Sequence, residues 1–155
     1  MGYIMDLRAY VGHQPLIQVG SAVILDDEQG RILLQLRTDD HRWSFSAAGS
    51  MEPGESAEET ARRELLEETG LTANSLELVG VYTGPEEHAV YPNGDEVYNV
   101  EFFFVCRDWS GTLKCQEDEV EELRFFHPDE FPPGLSGGLR RRLPDWARYR
   151  QSLNG

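Results

Sequence analysis

Glu64, Glu67 and Glu68 stand at spacing i, i+3, i+4, which on a helix gathers three carboxylates within an arc of about 100°. Three anions on one face repel one another. Ala57 and Ala61 fall in the same arc, so the face is narrow enough to lie close to other backbone. A hard divalent cation resolves the conflict, because Mg²⁺ takes oxygen ligands, commonly a few carboxylates with retained waters and substrate phosphates. The chemistry on offer is neutralisation of a phosphate and activation of a water. The element that must carry these residues is legible: Ser56 suits an N-cap, Glu58 and Glu59 suit the first turn, and Gly70 ends the run. Upstream, Gly49, Pro53 and Gly54 favour a tight bend, so an acidic loop feeds an acidic helix.

The stretch from Gly49 to Leu71 resembles the signature box of the Nudix hydrolases, Gly-x5-Glu-x7-Arg-Glu-U-x-Glu-Glu-x-Gly-U with U aliphatic. Gly49, Glu55, Arg63, Glu64, Leu65, Glu67, Glu68, Gly70 and Leu71 occupy every specified position. A solvated acidic face would account for the charge but not for the fixed glycines, arginine and loop spacing. The resemblance implies an α/β fold, an α/β/α sandwich on a mixed β-sheet, and Mg²⁺-dependent cleavage of a P–O–P bond, with Mn²⁺ as a substitute. It makes Glu64, Glu67 and Glu68 metal ligands, and Glu64 also a candidate base. Arg63 would orient Glu64 or Glu68 by a charge-assisted bond, and Glu55 would act as an outer ligand or hold the loop on the substrate side. Gly49 and Gly70 are backbone choices.

The chain departs from the family pattern just before the box. Many members place Pro-Gly or Pro-Ala there, whereas this chain has Ser46-Ala47-Ala48. Backbone carbonyls in that segment ligate metal in the family, and the resemblance carries that role to Ala48. Arg37 ends a strand before the loop 38–42 and is either a strand-end surface charge or a phosphate contact. Trp43 and Phe45 read as core or cleft wall rather than a stacking platform. The acidic run 116–122 reads as solvated, with one exception: its spacing before Leu123-Arg-Phe-Phe126 resembles the segment that brings another carboxylate to the metal cluster, with Glu119 best placed and Glu117 or Asp118 as substitutes.

A formal charge of −14 and a pI near 4.6 oppose binding to nucleic acid or anionic membrane, both of which need a basic surface. Cys106 and Cys115 form neither a disulfide framework nor a metal spacing, and there is no export signal or apolar run of spanning length. A cytoplasmic setting is expected. The four histidines have no zinc-type spacing; His88, in a long connection, is the one that could reach the cleft.

In chain order, 155 residues fit one domain, with residues 1–15 as an N-terminal extension that packs on the domain or on a second copy in a homodimer. Residues 18–25 and 31–37 read as a hairpin about a turn at 26–30, and 76–82 as a strand. The connection 83–95 reads as a functional or mobile loop, with Tyr91 a substrate-side candidate. Residues 96–106 alternate, with Tyr98, Val100, Phe102, Phe104 and Cys106 on the core side and Asn99 and Glu101 opposite. In the tail, 134–155, Pro144 suits the first turn of a last helix packed through Trp146 and Tyr149. The arginines at 140–142, 148 and 150 read as its balancing surface.

The expected substrate is a nucleoside diphosphate linked to another moiety, such as ADP-ribose or a nucleotide sugar. The alternatives are a nucleoside triphosphate diphosphatase and a nucleotide-binding regulatory domain without turnover. Pro85 and Tyr91 fall near but off the positions that mark ADP-ribose and dinucleoside polyphosphate hydrolases in the family.

Overall fold

A computed structural model describes residues 2–115 and 118–154. The elements are α1 (Tyr3–Val11), β1 (Leu16–Asp26), β2 (Ile32–Arg37), β3 (Trp43–Ser44), β4 (Ala47–Ser50), α2 (Ala57–Thr69), β5 (Leu71–Ala73), β6 (Glu77–Tyr82), β7 (His88–Val90), β8 (Glu96–Cys106), β9 (Trp109–Gly111), β10 (Val120–Phe126) and α3 (Gly137–Asn154). The main sheet runs β10-β2-β1-β8-β6, with β3 on β2, β4 on β1 and β7 on β8. It is mixed, because β1 and β8 run parallel over ten registered pairs from Leu16↔Val97 to Leu25↔Cys106, while their other neighbours are antiparallel. The 26–30 hairpin exists, but β1 and β2 pair only at its base, Leu25↔Leu33 and Asp26↔Ile32. Beyond that they splay, and β4 enters beside β1.

Both faces of the sheet are covered. On one, Ile24, Ile32, Leu34, Phe45, Phe103 and Val105 pack with Leu139 and Trp146 of α3. On the other, Val23, Leu25, Leu33, Phe104 and Cys106 pack with Ala61 and Leu65 of α2. This is the expected layered α/β arrangement. It also corrects the reading of 96–106: the second half of β8 is central, so Phe103 and Val105 are as buried as Phe104 and Cys106, while Tyr98 is exposed. Alternation marks a half-buried strand, and only the first half of β8 is one.

Three further corrections concern the ends of the sheet. The connection 83–95 is not loop throughout: it has a 3₁₀ turn at Pro85–Glu87 and β7, which pairs with β8 through His88↔Tyr98 and Val90↔Glu96. A long segment satisfies its backbone groups by pairing with an open edge where one is available. The last helix begins at Gly137, not at Pro144, and runs through the proline. Proline forgoes one helical hydrogen bond, a cost of about 3 kcal/mol, and apolar contacts of Leu139 before it and Trp146 after it offset this. Arg142 is not surface: it is 1% exposed and pairs with Glu87 and Glu101. The N-terminal segment packs on the domain as α1. Arg8 donates to the carbonyls of Gly12 at 2.9 Å and Glu96 at 2.7 Å, and the Tyr3 amide donates to Glu52 at 3.0 Å.

Candidate active site

Local sequence fixes how α2 presents its carboxylates. Ser56 and Glu59 form a reciprocal capping box, worth about 1 kcal/mol, and Gly70 closes the helix in the left-handed conformation at φ 77°. The helix then lies against β4 so closely that a Cβ on Gly49 would meet the Glu64 carboxyl carbon at 2.2 Å. Glycine is needed at this position for approach rather than for turning.

Glu68 is 1% exposed. It accepts from Gln35 Nε2 at 3.0 Å and from the Ala48 amide at 3.2 Å, and Arg37 lies 3.4 Å away. Burial first, and then the neighbouring Glu64, push its pKa well above the carboxylate range. Burial raises Glu64 as well, so the two neighbouring carboxyls resist being charged together. Arg63 organises the other side. It donates to Glu55 at 2.6 and 3.0 Å, to Glu64 at 2.6 Å and to the Ser50 carbonyl at 2.9 Å, and its hydrogen bonds hold the Glu55 carboxyl down to about 2. Glu55 also accepts from the Glu52 amide and Thr60, tying loop to helix.

The structure therefore brings Glu55, Arg63, Glu64, Glu68, Ala48 and Arg37 together. Glu67 stands apart from the Glu64–Glu68 pair, half-exposed and reached by Arg63 at 3.4 Å. Glu119 lines the same cleft of about 520 Å³ with Arg37, Glu52, Glu64 and Glu67; its carbonyl accepts from the Thr38 amide at 3.1 Å. Glu117 lies outside the described residues. Among the described residues no three acidic, His or Cys side chains already converge on one point. The donor set is all hard oxygen, and two crowded, largely buried carboxyls that resist being charged together are what a cation would relieve, so the residues fit Mg²⁺.

Two more cavities adjoin this cleft, and Arg37 lines all three. One, of about 350 Å³, has Gln18, Ser44, Phe45, Tyr91, Asn99 and Glu101 in its walls. The other, of about 550 Å³, lies under α1 beside Ile4, Met5, Tyr91 and Val97. Tyr91 thus joins the site from just past the end of β7. Trp43 and Phe45 are buried in the core, with Phe45 also forming cavity wall. His88 lines none of the three; it pairs with Glu96 at 2.8 Å. Gln35 was not singled out from the sequence, although a lone polar residue inside the apolar strand Ile32-Leu-Leu-Gln-Leu36 was a usable signal. Glu52 and Glu101 carried none.

The model of the NUDIX domain matches residues 16–147. The chain belongs to the NUDIX family. A Bacillus subtilis (strain 168) protein named "Putative 8-oxo-dGTP diphosphatase" is 32% identical over 135 residues, covering 87% of this chain and 83% of that protein. An "NAD-capped RNA hydrolase NudC" of Pseudomonas syringae pv. syringae (strain B728a) is 34% identical over 129 residues, but the match spans 83% of this chain and only 41% of that protein. Among solved structures, a MutT NUDIX hydrolase from Burkholderia pseudomallei superposes with a TM-score of 0.72 at 26% identity, over 85% of this chain and 98% of that one. This Nudix chain is a pyrophosphohydrolase, of a family that generally works with a divalent metal such as Mg²⁺.

Proposed function

We propose that this Nudix enzyme hydrolyses, with Mg²⁺, the diphosphate bond of a nucleoside diphosphate linked to a second moiety, the class that includes ADP-ribose and the nucleotide sugars. The observation that carries the reading is the position of Arg37 in the common wall of the carboxylate cleft and its two flanking cavities. A guanidinium there is suited to a diphosphate, and a cavity on either side accommodates a group at each end.

Glu64, Glu67, Glu68 and the Ala48 carbonyl would hold the metal, with Glu119 closing the cleft from the turn just before β10. Bound there, Mg²⁺ supplies neutralisation of phosphate charge and a lower pKa for an attacking water. Glu64 would serve as the base toward the attacking water, its carboxylate steadied by Arg63 at 2.6 Å. Gln35 and the Ala48 amide fix Glu68, and Arg37 orients the diphosphate. The charge of −14 favours a free nucleotide over a capped RNA, the substrate named for the longer NudC relatives.

A second reading, nucleoside triphosphate diphosphatase, is supported by the name of the Bacillus relative, which matches over most of both chains. Incubation with nucleotide sugars, ADP-ribose and nucleoside triphosphates in Mg²⁺, with products resolved by chromatography, separates the two. A nucleoside monophosphate plus a phosphorylated second moiety supports the first reading. Pyrophosphate release from triphosphates with no cleavage of linked diphosphates refutes it.

A further inference from the structure

The cavity of about 350 Å³ carries a polar group that the hydrolytic chemistry does not use. Glu101 lies on the α3 face of β8, and its carboxylate is held by one oxygen only. Arg142, 1% exposed, donates to Glu101 Oε1 from Nε at 3.0 Å, and one of its terminal nitrogens lies 2.9 Å from the same oxygen as an ion pair. That guanidinium is itself fixed by Glu87 and stacks 3.8 Å from the centre of the Tyr82 ring. Glu101 Oε2 has no partner among the described residues, and the side chain keeps 20% of its exposure where it lines the cavity. Two residues earlier on the same face, the Asn99 amide nitrogen donates to the Glu87 carbonyl at 3.4 Å, which leaves its oxygen as an acceptor. Phe45, 4% exposed, and Tyr91 supply aromatic wall.

We infer that Glu101 and Asn99 form a nucleobase-reading pair selective for guanine, with Arg142 as the residue that positions Glu101. This rests on the reading that a nucleotide binds with its phosphates at Arg37. Two acceptors from positions two apart on one strand face, both lining the same cavity and one of them anionic, complement a base edge with two adjacent N–H donors. Guanine offers N1–H and the N2 amino group. Hypoxanthine keeps only N1–H. Adenine and cytosine place an acceptor nitrogen where the carboxylate needs a donor, and uracil flanks its single N–H with carbonyls. A site built around such acceptors rejects the wrong base because its own buried groups are left unpaired. The inference shifts the expected substrate from ADP-ribose toward a guanosine diphosphate linked to a second moiety.

Calorimetric titration of the full chain with GMP, IMP and AMP at pH 8, without metal, tests it. GMP should bind about tenfold more tightly than IMP and about a hundredfold more tightly than AMP. Glu101→Gln should bring the GMP-to-IMP ratio close to one, Asn99→Ala should reduce it, and Arg142→Lys should lower it without abolishing AMP binding. Equal affinities for the three nucleotides, binding of none of them at millimolar concentration, or a ratio unchanged in both Glu101→Gln and Asn99→Ala would overturn the inference. If Glu101→Gln does not fold, the wild-type ratios and Asn99→Ala still decide. Because turnover is not read, a protein that selects GMP but cleaves no diphosphate would sink the proposed function and leave this inference standing.

Discussion

Replacing Gly49 by alanine tests the closeness of β4 and α2 with a single methyl group. The added Cβ would lie 2.2 Å from Glu64 Cδ and 2.4 and 2.6 Å from its two oxygens, against about 3.5 Å for comfortable contact. The carboxylate must therefore withdraw by about 1 Å. Gly49 is not among the glycines with positive φ, so alanine introduces no backbone strain, and the group that yields is the end of a side chain. Stability should change little: a partly exposed Arg63–Glu64 pair is lost, worth under about 1 kcal/mol. Catalysis should change greatly, because a displacement of about 1 Å of a group that takes a proton or holds a cation costs about a hundredfold, or about 2.7 kcal/mol of barrier. Steady-state kcat with saturating Mg²⁺, alongside a thermal melt, separates the two effects. If the loss acts through Glu64, Gly49→Ala on a Glu64→Gln background should add far less than it does alone. A kcat within threefold of wild type, or full additivity in the double variant, would refute the placement of Glu64 in the reaction.

Glu68→Gln should lower kcat by at least about a hundredfold while leaving the metal-free melting temperature equal or higher, since it removes one of two carboxyls buried together; a variant that melts well below wild type would contradict that. Glu119→Gln should lower kcat by about tenfold with little change in KM, whereas Glu121→Gln and Glu122→Gln, whose carboxylates pair with His41 and Arg124, should not; equal small effects at all three return the run to a solvated face. Millimolar Mg²⁺ should raise the melting temperature of the wild type but not of Glu68→Gln, which differential scanning fluorimetry reads directly. Asp26 gives a pH dependence away from the site. Burial raises it to about 6 from 3.8 in spite of the hydrogen bond from Trp146 Nε1. The folded state therefore holds this proton more tightly than the unfolded chain, and the stabilisation present below pH 3.8 is lost as pH rises through 6. Asp26→Asn should then be more stable than wild type by about 1–3 kcal/mol at pH 7 and equal to it near pH 4; denaturant melts at the two pH values that gave the same difference would exclude this.

The box stretch was legible because its information is local. Capping at Ser56, termination at Gly70 and a carboxylate face at i, i+3, i+4 depend on residues within one or two helical turns, and the structure has α2 from Ala57 to Thr69 with that box and that C-cap. The layered α/β class followed from the same stretch through the family it resembles. What the chain could not disclose locally was decided by pairing between distant segments. The segment 83–95 carries Pro85, Pro92 and Gly94 and reads as loop, yet β8 offered it a free edge at His88–Val90. Pro144 reads as a helix start, yet a helix already anchored by Leu139 tolerates it once Trp146 is buried on the far side. Arg142 reads as surface in a basic run, and only the fold sets Glu87 and Glu101, 55 and 41 positions away, against it. The same holds at the site. Three glutamates and an arginine announced the phosphate chemistry, but Gln35 on Glu68, Arg37 between three cavities and Glu101 facing the smallest of them come from strands that meet only in the folded sheet. A periodic pattern records which face of an element is buried, whereas which distant polar group that face will meet is fixed by strand order and register, and those are set by the packing of the whole chain.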